Sequence, residues 1–385
     1  MTIPSFKQLL DNRLGRLVLL ILLSLVLRFL SFFPSVLDHD ESTYIVIANA
    51  LLHGSTYWVD IIDTKPPGIF LLLAGFQFLF GKSIFILRMV TAIWLALTAF
   101  FLVETHLVLK SGRSAAFAAG VIYLFLNSLF KFYGVSPNTE TYFGLFTIVA
   151  LWLLLSRRNG WAWLLAGLLL GLGFITKYVV LFDAFAFGLF FLLESFREAG
   201  KERWKTIGRL AVLVLGFVLP FAGEIGYYVS IGKLDNFLFY TFEVTDSYTD
   251  IQAGIWAYLK SFLDFNLRFL PVAFCFYYAL FQRLTTPAIK RLGLIWFLAV
   301  AFIVLWPGRF YGHYFIQLML PFSFVAGAFF NLPDSSVPAW TRKVMAPKTG
   351  YSLLGLLLIA NLFLQKADYL DKPDYGREMA IMLQQ

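Results

Sequence analysis

The sequence predicts an all-α integral membrane protein with about eleven transmembrane helices and two interfacial helices in a large first extracytoplasmic loop. Three observations predict it. The 385 residues are 59% hydrophobic and only 14% charged, with 44 Phe and a mean hydropathy of +0.76. A soluble chain of this length could not cover that much apolar surface. Apolar runs of spanning length recur along the chain, and basic clusters alternate with acidic ones between them. More than half of the 31 Lys and Arg fall in loops expected on the cytoplasmic side, and most of the 23 acids fall on the other. The net charge of +8 is thus a topology signal and does not point to nucleic acid. Cys275 is the only cysteine, which excludes an intramolecular disulfide or a thiolate cluster.

Lys7, Arg13 and Arg16 place the amino end inside. The first span, Leu17 to Val36, lacks a small-residue cleavage site and reads as a retained helix. The loop 38–83 then lies outside, on the face of a plasma (inner) membrane that looks away from the cytoplasm. Within it, Tyr44, Ile45, Ala48, Leu51 and Leu52 share one helical face, Asp40 or Ser42 can cap its start, and Gly54 suits its end. A second helix can begin at Pro66-Pro67 and run to about Phe80. At roughly fourteen residues it is too short to span, so both helices are expected to lie at the membrane surface.

The next segment, Ile84 to Leu109, ends at Lys110 and Arg113, which belong inside only if the short helix does not cross. The remaining spans are Ser114 to Phe130, Tyr142 to Ser156, Trp161 to Thr176, Tyr178 to Leu193, Leu210 to Val229, Phe262 to Phe281, Leu292 to Trp306, Tyr314 to Asn331 and Tyr351 to Leu364. Inside loops carry Arg157-Arg158, the run Arg197 to Arg209, Arg283 to Arg291 and Arg342 to Lys348. One domain covers 1–366, and a short extracytoplasmic tail covers 367–385. No internal repeat is visible.

The unusual polar residues gather on the outer side: Asp40, Glu41, Asp63 and Lys65 in the first loop, Glu140 in the segment from Ser136, Lys177 in a tight turn, and Arg309, His313 and Tyr314 in a late loop. Ionisable groups at membrane depth are expensive and usually functional. Carboxylates facing a ring of Lys, Arg, His and Tyr suit an anionic lipid headgroup with a base beside it. Blander readings stand next to these. Asp40 can simply cap a helix, Lys65 can snorkel to lipid headgroups, and Lys177, Arg309 and His313 can be interfacial surface residues. Glu140 and Glu243 read as loop acids, and Tyr248 and Trp256 as an aromatic belt. Arg28, Asp183 and Glu224 lie in apolar spans without an assigned role.

Asp40-Glu41 with Tyr44, then Lys65-Pro66-Pro67 leading an apolar helix to Phe80-Gly81, then Arg88, resembles the first outer loop of GT-C membrane glycosyltransferases. It is most similar to the bacterial dolichyl-phosphate-mannose–protein mannosyltransferase-like group (glycosyltransferase family 39-like), which includes the lipid A aminoarabinose transferases. Gly171 to Lys177 and Gly308 to Pro321 resemble two later motifs of that group. The resemblance implies a GT-C fold and an inverting transfer of a sugar from a polyprenyl-phosphate donor to a lipid, protein or polysaccharide hydroxyl on the outer face. It makes Asp40 the general base, and Lys65, Arg309 and Lys177 the grip on phosphate. Tyr44, His313 and Tyr314 would contact the donor phosphate or sugar, with Glu41 and Asp63 in support. Lys177 pairing with Asp40 is the other arrangement it allows. The aminoarabinose transferases carry an acid directly before this lysine; here that position is Thr64, with Asp63 one earlier. A divalent cation therefore stays an open expectation. Two other classes compete: a secondary transporter, which would show midplane charges and repeated halves, and a non-catalytic polyprenyl-lipid-binding subunit of an assembly.

Overall fold

Apolar runs fold as helices here because a bilayer offers no partner for an open backbone group. The structure, a computed structural model, describes residues 6–331 apart from 131, 133, 199, 245–252 and 282–284, and isolated positions between 339 and 369. A short α1 (Phe6–Asp11) precedes α2 (Arg13–Arg28), which Asn12 caps by accepting a hydrogen bond from the Leu14 amide at 3.0 Å. A 3-10 turn, Phe29–Phe32, leads into the first loop, which holds α3 (His39–Leu52) and α4 (Gly68–Phe80). Then come α5 (Ile84–Val108), α6 (Arg113–Leu126), α7 (Thr139–Ser156), α8 (Gly160–Thr176), α9 (Leu181–Ser195) and α10 (Lys201–Ser230). After α11 (Leu234–Leu238) and a π-helical turn, Phe239–Glu243, follow α12 (Ile255–Arg268), α13 (Leu270–Phe281), α14 (Pro287–Leu305) and α15 (Phe315–Gly327).

Among the described residues, seven helical stretches are long and apolar enough to cross a membrane: Arg13–Phe32, Ile84–Val108, Thr139–Ser156, Tyr178–Ser195, Lys201–Ser230, Pro287–Leu305 and Gly312–Phe330. Four shorter apolar helices, α4, α6, α8 and α13, accompany them. The chain is thus a multi-span membrane protein with a helical first loop, and the expected count of eleven is not reached by length and composition alone. The expected last span, Tyr351 to Leu364, and the tail 367–385 fall almost wholly outside the described residues.

One expected span is two helices. Phe262 to Phe281 breaks at Phe269, whose carbonyl accepts from the Val272 amide at 2.8 Å and starts a new helix. Pro271 explains the break, because it has no N–H to continue the preceding helix and fits a first turn. A second correction concerns α3. Its cap is Asp38, whose side chain accepts from the Asp40 amide at 3.3 Å, and neither Asp40 nor Ser42 serves. The buried stripe of α3 is Asp40, Glu41, Tyr44, Ile47 and Ala48, while Leu52 faces outward. The acids therefore point in with the apolar face.

Every residue of α15 is buried, with α6, α13 and α14 packed around it. A smaller apolar cluster underlies the first loop and includes Tyr44, Tyr57, Trp58, Phe70, Tyr228 and Phe237. Two glycines set close approaches. Gly171 of α8 lies against the Phe217 carbonyl and the Pro220 ring of α10. Gly68, the first residue of α4, lies against α8, and a Cβ there would stand 2.5 Å from the Ile175 carbonyl oxygen. That contact brings the Lys65 turn beside the end of α8, where Lys177 begins. Gly68→Val is expected to cost about 1–3 kcal/mol through overpacking of backbone that cannot yield. Unfolding in SDS mixed micelles measures it, and wild-type stability would contradict the close approach.

Candidate active site

Asp40 sits in the first turn of α3 with its side chain 8% exposed. Lys65 Nζ donates to Asp40 Oδ1 at 3.3 Å and lies 3.6 Å from Asp63 Oδ1. Asp63 also accepts from the Lys65 amide at 3.0 Å, so it shapes the turn as well as pairing with the ammonium. The Lys65 ammonium lies 5.1 Å from the centre of the Tyr44 ring, a cation–π contact. Burial alone would raise the Asp40 carboxyl, but Lys65, with help from His313 and His39, holds it below the usual carboxylate value. Burial alone would lower Lys65, but Asp63 and Asp40 hold it above the usual lysine value. Burial and the nearby carboxylates push the Tyr44 phenol well up, so its hydroxyl stays protonated.

Lys177 does not pair with Asp40. It caps α8 in extended backbone and pairs with Glu140 of α7, whose other oxygen accepts from Thr139 Oγ1 at 2.8 Å. The Lys177 ammonium also lies 4.5 Å from the centre of the Tyr314 ring. Glu140 is 2% exposed and is no solvated loop acid. His313 lies within electrostatic reach of both Asp40 and Glu140. Its ring stacks on Tyr311 at 5.8 Å and meets Tyr314 edge-on at 4.7 Å. Arg309 is half-buried on the same loop, where Gly308 and Phe310 take left-handed backbone with φ of 67° and 46°. The first loop, α7, α8 and the loop before α15 thus meet around two lysines, Lys65 with Asp40 and Asp63 and Lys177 with Glu140, with His313 in reach of Asp40 and Glu140. Among the described residues no three His, Cys, Asp or Glu are grouped to hold a metal ion.

Two buried arginines anchor the segments that carry the carboxylates. Arg88 grips Glu41 through both oxygens, with Nε and Nη2 each donating at 2.7 Å, and Nη1 donates to the Ser31 and Pro34 carbonyls at 3.1 and 2.5 Å. Glu41 therefore holds α3 to α5. Arg28 donates to the carbonyls of Asn127, Gly134 and Val135 at 2.5, 2.8 and 2.5 Å, fixing the connector that leads to Glu140. Sequence reasoning left Arg28 and Glu140 without a role; a lone arginine in an apolar span was the available signal for the first. Asp183 ties α9 to α14 and α15 by accepting from Trp296 Nε1 at 2.5 Å and Gln317 Nε2 at 2.6 Å. Both Glu224 carboxyl oxygens are shielded and have no hydrogen-bond partner among the described residues. Glu243 and Trp256 are exposed, and Tyr248 lies outside the described residues.

Residues 64–222 match the model of the dolichyl-phosphate-mannose-protein mannosyltransferase family. The match includes Lys65, Glu140 and Lys177 but stops short of Asp40 and the 308–314 loop. No curated protein sequence matches the chain. Solved structures do. ArnT from Cupriavidus metallidurans bound to undecaprenyl phosphate is 18% identical with a TM-score of 0.61, over 91% of this chain and 73% of that one. Its apo state gives 18% and 0.58, over 91% and 72%. AglB, the oligosaccharyltransferase of Archaeoglobus fulgidus in complex with an inhibitory peptide and a dolichol-phosphate, is 14% identical with a TM-score of 0.57. That match covers 90% of this chain and 55% of AglB, so the chain spans little more than half of the archaeal enzyme. The chain has the fold of the GT-C membrane glycosyltransferases and resembles their ArnT, mannosyltransferase and AglB types.

Proposed function

We propose that this protein transfers a sugar from a polyprenyl-phosphate donor to an acceptor hydroxyl, with inversion, at the extracytoplasmic face of a plasma (inner) membrane. The single observation that carries the reading is the pairing of Asp40 with Lys65 beside the Glu140–Lys177 pair, on a fold shared with enzymes bound to polyprenyl phosphates. Asp40 is the general base. It takes the proton of the acceptor hydroxyl while that oxygen attacks the anomeric carbon. The bond from that carbon to the phosphate oxygen breaks, and its electron pair leaves with the polyprenyl phosphate. Lys65 and Lys177 neutralise the departing phosphate, joined by Arg309, while His313 and Tyr314 contact the phosphate or the sugar. Cations aimed at developing charge in a site shut off from water stabilise the transition state strongly.

The pairs also give the base a way to change strength. In the unliganded protein Lys65 depresses the Asp40 carboxyl. When Lys65 turns to the donor phosphate, that depression is relieved and Asp40 becomes more basic as the substrate is seated. The pH profile should carry this mark. The acid limb of kcat/KM reports the free enzyme and is expected below the usual carboxylate value of about 4. The limb of kcat, which reports the complex, is expected at higher pH. Identical limbs would count against the exchange of partners.

Deletion and complementation test the activity. Lipids, proteins and surface polysaccharides of the deletion strain are compared by mass spectrometry with strains carrying wild type, Asp40→Asn or Lys65→Ala. A missing sugar restored only by wild type supports the transferase and names its acceptor. Full rescue by Asp40→Asn at matched expression would favour a lipid-binding subunit or a transporter.

A further inference from the structure

Lys65 is held from a distance. The turn at Tyr57 and Trp58 contacts the Lys65 turn on one side and the end of α10 with α11 on the other. Tyr57 Oη donates its one proton to the Lys65 carbonyl at 2.5 Å, with the Asp63 carbonyl at 3.1 Å sharing it. Trp58 Nε1 donates to the same Asp63 carbonyl at 3.0 Å. The carbonyls of Tyr57 and Trp58 are themselves taken: Tyr228 Oη of α10 donates to the first at 2.9 Å, and Asn236 Nδ2 of α11 donates to the second at 2.8 Å.

Trp58 has φ of 59°, a left-handed backbone that a bulky residue rarely adopts. Such a conformation persists only where the surroundings over-determine it. Here they do. The Trp58 ring is 1% exposed, stacks on Tyr240 at 5.9 Å, and packs against Tyr228 and Phe237. The Trp58 amide donates to the Ile61 carbonyl at 2.8 Å, which closes the turn. Backbone oxygens at 57 and 58 that lost their donors would leave this turn free to relax, and the 63–65 backbone would move with it.

We propose that Tyr228 and Asn236 are positioning residues for Lys65, acting through the Tyr57–Trp58 turn. They touch neither donor nor acceptor; they set where the ammonium stands when a polyprenyl phosphate arrives. The inference rests on the reading of Lys65 as a phosphate ligand. It adds that the segment after α10 governs the affinity of a site built from the first loop.

Binding of undecaprenyl phosphate and of dolichyl phosphate to the full chain in nanodiscs tests it. The proteins are wild type, Lys65→Ala, Tyr228→Phe, Asn236→Leu, and each of the latter two combined with Lys65→Ala. Tyr228→Phe removes one oxygen, and the thermal midpoint of the unliganded protein is followed for every variant. Tyr228→Phe and Asn236→Leu are each expected to weaken binding about tenfold, the scale of one lost hydrogen bond. In the Lys65→Ala background they are expected to weaken it no further. A purely structural role would lower binding by the same factor in both backgrounds, and that result overturns the proposal. So does wild-type binding by both single variants while Lys65→Ala binds poorly. If Lys65→Ala binds as well as wild type, or wild type binds neither lipid, the phosphate-ligand reading itself falls, and this inference with it.

Discussion

Asp40→Asn is expected to lower turnover by about 10²- to 10⁴-fold, the span that a positioned general base supplies. The substitution is nearly isosteric. The amide oxygen of Asn can still accept from Lys65, which stands 3.3 Å from the carboxylate. The helix start should also survive, because Asp38 and not Asp40 caps α3. What is lost is the ability to take a proton. The loss should therefore appear in kcat with little change in KM for the donor. Asp38→Asn is the control: it sits two residues away, keeps an oxygen for the cap, and is expected to retain most of the activity. Transfer by purified protein from a polyprenyl-phosphate sugar measures both variants. Activity of Asp40→Asn within a few-fold of wild type would remove Asp40 as the base.

The second large effect concerns folding. Arg88→Met leaves Glu41 charged and buried, since the pair is 0% and 2% exposed in its side chains. Breaking a buried pair from one side costs about 3–5 kcal/mol, because the remaining charge keeps its desolvation penalty and loses its partner. Arg88 also serves the Ser31 and Pro34 carbonyls, which lose their donor at the same time. Glu41→Gln should cost less, because its amide oxygen can still accept one bond from Arg88. The double change Glu41→Leu with Arg88→Met should recover a large part of the loss. Unfolding in SDS mixed micelles gives the comparison. A cost for Arg88→Met of under about 1 kcal/mol would contradict the buried pair. Glu41 follows Asp40 in the same helical turn, so activity should fall with stability in the single variants.

The apolar runs made most of the spans legible, because a helix is the only open-ended way for such runs to cross hydrocarbon. The acids and Lys65 of the first loop were legible for the same reason: charge is rare in this chain. Pro271 marks the break at Phe269, but the apolar run continues on both sides of it and has the length of a single span. Which carboxylate each lysine meets was not legible. That depends on Gly68 seating α4 against α8 and on the connector that Arg28 holds ahead of Glu140, both of them contacts distant in sequence. The resemblance allowed Lys177 to pair with Asp40; packing shows that its acid is Glu140. Asn236 and Tyr228 carry no signal at all in a single sequence, since an amide and a phenol in an outer segment are unremarkable until their carbonyl partners are known.

The pairing of both lysines has a kinetic consequence. A cation already matched by a carboxylate casts little field beyond its immediate surroundings, and salt shortens that reach to a Debye length of about 8–10 Å. Steering by long-range attraction needs an unbalanced charge. Lys65 is met by two carboxylates and Lys177 by one, so these groups supply no excess positive charge to draw an anion from afar. A polyprenyl-phosphate donor would then arrive by lateral diffusion, and ionic strength is expected to change its rate of arrival little. Attraction begins at contact, when an ammonium exchanges carboxylate for phosphate. On the reading of both lysines as phosphate ligands, the site is expected to favour ligands that a membrane carries past it over the soluble phosphates of the surrounding water.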